Sequence, residues 1–200
     1  MNKNLSNRSS PAPAAGFTLM ELMMTIAVLA ILTTLAVPAF TQFIQNNRLA
    51  GQANEVVASL QFARTEALKR GSWAELCASS DQASCSGTMG DGWIVQVDPA
   101  TLEPDETNPL RVWPSPGDKI AIAAVENSAR FLGSGCLDHD KNGTCSAHFT
   151  LGVDDETPYF RVRENPDIAE IEPRQIRISP SGRVGSCRQD PMDSAKCEPY

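Results

Sequence analysis

The chain has 200 residues, 42% of them hydrophobic, with 24 acidic against 17 basic side chains and a net charge of −7. That length accommodates a leader, a membrane helix and one soluble domain of about 130–150 residues. The acidic balance argues against broad, sequence-independent nucleic-acid binding, which draws its affinity from lysine and arginine on phosphates.

Residues 1–15 are polar and rich in proline and alanine, with Lys3 and Arg8 as the only charges. Two cations ahead of an apolar run fit a leader held on the cytoplasmic side. From 22 to 47 there is no charged side chain, and 22–37 is apolar except for Thr25, Thr33 and Thr34. As a helix, residues 17–40 extend about 36 Å, enough to cross the apolar part of a bilayer. Glu21 stands at the edge of that run. A carboxylate there is costly unless it meets a cation, which makes it a functional candidate. Cleavage between Gly16 and Phe17 creates such a cation, the new ammonium of Phe17, for Glu21 of the same chain or of a neighbour. A secretory signal needs an apolar run of about 7–15 residues and an A-x-A-like site. Here the run is too long, and Ala36-Val37-Pro38-Ala39 is a poor site. A plain anchor leaves Glu21 and the Gly16/Phe17 pair without a role.

The sequence Gly16-Phe17-Thr18-Leu19-Met20-Glu21 followed by about twenty apolar residues resembles the class III signal of type IV pilins and type II secretion pseudopilins. The resemblance implies cleavage after Gly16 by prepilin peptidase and N-methylation of Phe17. It also implies a register-setting role for Glu21 and a helix kink at Pro38. Loss of Lys3 and Arg8 with the leader (1–16) takes the mature side chains to −9.

Past Phe40 the pattern becomes amphipathic, with Leu49, Ala53, Val56, Val57, Leu60, Ala63 and Ala67 at helical spacing. Such a stripe is expected to pack on a sheet. Lys69 and Arg70 followed by Gly71 form a helix stop. One helix of about 80 Å over 17–70 is therefore predicted, transmembrane over 17–40 and amphipathic over 41–70. The remainder, 71–200, reads as short strands at 93–97, 110–113, 119–125, 148–151, 159–162 and 175–179, divided by Gly, Pro, Asn and Asp. The expected class is α+β, a type IV pilin-like fold with the long N-terminal helix packed on an antiparallel sheet. Residues 98–109, with three prolines and four acids, should form an exposed loop.

Six cysteines fall into three close pairs, Cys77 with Cys85, Cys136 with Cys145 and Cys187 with Cys197. Local pairing is favoured, each bridge closing a loop of about ten residues worth about 2–3 kcal/mol. Disulfides imply an oxidising compartment, the periplasm or the outside of the cell. Zinc is disfavoured, since none of the gaps has the spacing of a zinc knuckle.

The soluble half adds to the likeness. Cys77-Ala78-Ser79, Cys85, Gly92-Trp93-Ile94-Val95 and Asp98 resemble a segment of minor pilins of the FimU, FimT and GspH group. The stretch from Ile176 through Ser179-Pro180-Ser181-Gly182-Arg183 resembles their closing strand and turn. This implies a minor subunit near a pilus tip that primes assembly, or its counterpart in a secretion pseudopilus. The implied partners are other minor and major pilins, prepilin peptidase and the inner-membrane assembly platform. The implied location is the inner membrane, single-pass with the C-terminal domain in the periplasm, and then the pilus.

Three further constellations stand out in the sequence. Asp138, Asp140 and Asn142 with Gly143 open like a calcium loop, but position twelve is Phe149. An Asx-rich turn tied by the Cys136/Cys145 bridge is the preferred reading over a structural Ca2+. Arg174, Arg177, Arg183 and Arg188 concentrate positive charge, and some FimT-like proteins bind incoming DNA through a G-R-x-R motif. Here Gly182-Arg183 matches but Gly185 replaces the second arginine, so nucleic acid is not the expected partner. No catalytic arrangement is visible: the histidines are nine residues apart and no serine sits in a nucleophile elbow. No cofactor is expected, and the function is read as architectural.

Overall fold

The computed structural model describes residues 16–124, 126–138, 140–145, 160–164, 172–189 and 197–198. Of these, the side chains of Leu35, Pro38, Ala39, Gln189, Cys197 and Glu198 lie outside the description. The strand expected at 148–151 also lies outside it. The chain divides into two units, Met1–Gln42 and Phe43–Tyr200. Helix α1, Leu19–Arg70, contributes its first part to one and its second part to the other.

In the first unit, the large apolar side chains from Phe17 to Phe40 that the structure describes are all exposed, 55–81% of each. The helix begins two residues later than the sequence suggests. Thr18 stays outside it and caps it: Glu21 N donates to Thr18 Oγ1 at 3.2 Å, and Leu22 N to Thr18 O at 3.1 Å. Counted over the described residues, no helix is long and apolar enough to cross a membrane. The sequence carries no charge between Glu21 and Arg48, the run in which the span over 17–40 is expected.

In the second unit, six of the seven stripe residues of α1 are buried, Leu49, Ala53, Val56, Leu60, Ala63 and Ala67 all at most 1% exposed, while Val57 at its edge is half-buried. Gly71 ends the helix at φ +64°, a conformation that costs a side-chain-bearing residue about 1 kcal/mol or more. Two antiparallel sheets, rather than the single sheet expected, share the core with this stripe. Sheet A has the order β3 (Arg111–Pro114), β2 (Gly92–Val97), β1 (Ala74–Ala78), β5 (Ser128–Phe131). Sheet B has the order β4 (Ile120–Ala124), β6 (Phe160–Glu164), β7 (Arg174–Ile178), β8 (Val184–Gln189), β9 (Cys197–Glu198). The chain changes sheet between Ala124 and Ser128: β4 pairs with β6, while β5 pairs with β1.

Small residues on the helix leave room for large ones from the sheets, among them Trp93, Phe131 and Phe160. The one buried hydroxyl in the stripe has a purpose. Trp93 Nε1 donates to Ser59 Oγ at 3.0 Å, and Ser59 Oγ donates to Val56 O at 2.8 Å. Trp93 also stacks on Trp113, with centroids 6.4 Å apart and planes 13° from parallel. The outer face of β1 is covered as well. Cys77 is bridged to Cys85, and Glu75, 2% exposed, receives Lys141 Nζ at 2.6 Å and Arg130 Nη2 at 2.9 Å.

Candidate functional site

The N-terminal candidate residues lie together in the first unit. Gly16, Phe17 and Thr18 are non-helical and exposed, so the peptide bond between Gly16 and Phe17 sits outside hydrogen-bonded secondary structure. Thr18 and Glu21 occupy the first and fourth positions of a capping-box pattern, which starts a helix from its own sequence. Glu21 is exposed, with Met20, Leu22 and Met24 as its exposed apolar neighbours.

In the second unit the four arginines do not converge. Arg174 and Arg188 are register partners on the face that carries Ile176 and Ile178; Arg177, one residue out of phase, belongs to the opposite face. Arg174 is 3% exposed and unavailable to a ligand. Arg188 is exposed and lies 3.5 Å from Glu172. Arg183 is exposed on the β7–β8 turn, which closes through Ser179 N to Arg183 O at 2.9 Å and Gly182 N to Ser179 O at 2.8 Å.

That turn reaches α1 through a residue the sequence reading passed over. Arg64 Nε donates to Gly135 O at 2.8 Å and Arg64 Nη2 to Ser181 O at 3.3 Å, tying the helix to two turns far along the chain. Gly182, at φ +76°, makes this approach possible: a Cβ there would strike Gly135 O and stand 2.9 Å from Arg64 Nε. The glycine of the Gly182-Arg183 pair is thus required by packing. Gln61, Arg64, Thr65, Leu68, Gly182 and Arg183 line the resulting cleft of about 260 Å3.

A second arginine organises the loop at 98–109. Arg70 Nη1 and Nη2 each stand 2.8 Å from a Glu106 oxygen, Nη1 also reaches Thr101 O at 2.8 Å, and Nε reaches Glu66 at 2.9 Å. This fork brings the Glu106 carboxyl down to about 2, helped by the Glu103 N–H, and raises the Arg70 guanidinium further above its ordinary value. Asn108 exchanges hydrogen bonds with the backbone of Val97. The loop is exposed, as expected, but tethered at both ends. For Glu75, burial pushes the carboxyl up, and hydrogen bonds from Lys141 and Arg130 outweigh it, leaving it below the ordinary carboxylate value.

Hydrogen bonds within the chain hold the Asp138 turn. Asp138, 1% exposed, accepts from Asn142 N and Gly143 N, both at 3.1 Å, and Asn142 Oδ1 accepts from Thr144 N at 2.9 Å. Those oxygens are engaged as an Asx turn engages them. Asp140 is exposed, and among the described residues no group of three His, Cys, Asp or Glu side chains is placed to hold a metal. The bridges Cys77–Cys85 and Cys136–Cys145 are present, with Cα separations of 5.5 and 5.6 Å. Cys187 is disulfide-bonded, while the side chain of Cys197 lies outside the described residues.

Residues 52–182 match the family model described as type II transport protein GspH. The chain belongs to the GspH family. Residues 12–37 match the prokaryotic N-terminal methylation motif. The chain is also similar to the type IV minor pilin FimU of Pseudomonas aeruginosa strain PAO1 in two crystal forms. For the P21 form the identity is 21%, the TM-score 0.48, and the match covers 78% of this chain and 96% of that one. For the P65 form the values are 19%, 0.43, 74% and 96%. None of the curated proteins matches the chain.

The sequence reading missed Ser59, Arg64, Arg70 as a loop anchor, and Glu75. Arg64 alone carried a signal: a cation beside the small buried residues Ala63 and Ala67 must reach out of the stripe to find its partners.

Proposed function

We propose that this GspH-family chain is a minor subunit of a type IV pilus that acts near the tip to prime assembly. The observation that carries this is the exposed apolar surface from Phe17 to Phe40 on a segment matching the methylation motif, with Glu21 as its one charge. A surface of that size does not stay in water; it is covered by lipid and then by like helices in a filament. In this reading prepilin peptidase cuts after Gly16, Phe17 is N-methylated, and the Phe17 ammonium offsets Glu21 as the helix leaves the bilayer. The non-helical Gly16-Phe17-Thr18 segment suits a peptidase, which needs the scissile bond outside a helix. Pro38, lacking an N–H, allows the helix to bend. The domain from Phe43 onward faces the periplasm, where its disulfides form, and meets neighbouring minor and major pilins.

The test is incorporation. Glu21→Ala and Glu21→Lys are expected to insert in the inner membrane and to be absent from sheared filaments. Normal incorporation of either variant would refute the mechanism. The family's description as a type II transport protein favours a second reading, a pseudopilin of a type II secretion system with the same N-terminal physics. Deletion of the gene separates them: loss of surface pili supports the first reading, loss of exoprotein secretion with normal pili the second. A DNA-uptake role has weaker support, since Arg174 is buried and Arg177 is on the other face from Arg188.

A further inference from the structure

Two patches of opposite charge lie on different flanks of the C-terminal part of α1. One is the cleft lined by Arg64 and Arg183. Arg64 spends its hydrogen bonds on the neutral carbonyls of Gly135 and Ser181, and among the described residues neither guanidinium has a carboxylate partner. At about 260 Å3 the cleft holds on the order of eight waters at ~30 Å3 each, room for an entering side chain. The other patch is the tip of the 98–109 loop, where Glu103, Pro104 and Asp105 are exposed. Arg70 holds this loop through Glu106 and Thr101 O, so the two free carboxylates are presented on a fixed base.

Arg64 and Arg70 are six residues apart on one helix, so at 3.6 residues per turn they leave it roughly 120° apart. A tip on one flank and a cleft on another fit each other between molecules. We infer that the cleft at Arg64 and Arg183 receives Glu103 and Asp105 of a second copy of this chain. Such a contact is heterologous, the loop of one copy entering the cleft of the other. On a chain of net charge −7, a basic cleft also fixes register, because other acid-to-acid juxtapositions repel. The proposal rests on the reading of the chain as an assembly subunit, but it concerns the domain and leaves Phe17 and Glu21 untouched.

Sedimentation velocity of the full chain in detergent micelles tests it, at about 50 mM and about 500 mM salt, where screening differs several-fold. Arg183→Glu and the pair Glu103→Lys/Asp105→Lys should each weaken self-association at least about tenfold, and high salt should do the same to the wild type. The chain carrying all three substitutions should associate as the wild type does. Arg183 is exposed and its side chain supports no other described group, so Arg183→Glu should keep the wild-type circular dichroism. Failure of the triple variant to recover, or equal association of all variants, would overturn the proposal. So would a 20-base-pair duplex that binds the wild type and not Arg183→Glu while self-association is unchanged. Because purified micelles need no filament, a negative result here leaves the Glu21 incorporation test standing, and the reverse holds too.

Discussion

The bond between Ser59 and Trp93 fastens the helix to sheet A, and its loss has a calculable cost. Ser59 and Trp93 are at most 1% exposed, so no solvent replaces the hydroxyl when Ser59 becomes alanine. Val56 O retains the ordinary helix N–H as donor, but the indole N–H is stranded at a cost of about 1–3 kcal/mol. The higher helix propensity of alanine returns about 0.5 kcal/mol. The net loss should be about 0.5–2.5 kcal/mol. For a unit of about 160 residues, each kcal/mol moves Tm by roughly 2–4 °C, so Ser59→Ala should lower Tm by about 1–10 °C. Thermal unfolding of the full chain in micelles, followed by circular dichroism, measures this. The decisive comparison is a cycle with Trp93→Phe, which removes the donor. In that background Ser59→Ala should cost less than about 0.5 kcal/mol, since no buried N–H is left over. An equal cost in both backgrounds would mean that the hydroxyl acts through Val56 alone, and the argument would fail.

Three other outcomes can be stated briefly. Gly182→Ala should destabilise by about 2 kcal/mol or more, combining a positive-φ penalty with the lost approach to Arg64; Gly185→Ala, with open space around its Cβ position, should stay within about 0.5 kcal/mol. Equal thermal shifts for the two glycines would contradict this. Glu75 has a folded value below its ordinary 4.5, so its stabilisation is present above that pH and disappears as pH falls through the folded value. Tm should therefore drop on acidification below about pH 4.5 in the wild type, and less steeply in Glu75→Gln. Arg70→Lys keeps the charge but not the fork, so NMR titration should show the Glu106 carboxyl rising from about 2 toward the usual carboxylate range. An unchanged Glu106 titration would mean that charge alone, not the bidentate geometry, sets its value.

How far each element could be read in advance follows from where its partners lie. The helix was legible because its signals are local: the stripe from Leu49 to Ala67 repeats every three or four residues, and Lys69, Arg70 and Gly71 end it in place. Strand β2 announced itself through Trp93, Ile94 and Val95. Strand β1, Ala-Glu-Leu-Cys-Ala, did not, although it is the hub of sheet A between β2 and β5. Period-two alternation marks a strand with one wet face, and β1 is buried on both. Its glutamate looked like a surface residue because the cations that neutralise it, Arg130 and Lys141, are 55 and more residues away. Strand β8 escaped for another reason: Gly185, Ser186 and Arg188 have low strand preference, and its place is set by pairing with β7.

The same distinction governs the candidate surfaces. The N-terminal residues Gly16, Phe17 and Glu21 form a motif because the chemistry proposed for them falls within six consecutive residues. The arginines looked like one patch because Arg174, Arg177, Arg183 and Arg188 are close in sequence. Strand geometry then separates them: successive residues alternate faces, and a two-strand register puts Arg174 beside Arg188 inside and beside solvent respectively. What replaces that patch is an arginine from the helix, Arg64, brought to Arg183 by a glycine whose missing Cβ lets two turns touch. Positive charge on this domain is therefore organised across 119 positions of sequence rather than along one strand. For that reason Arg64 should be included in any variant set built to ask what Arg183 contacts, with Gly182 kept unchanged so that the cleft itself survives.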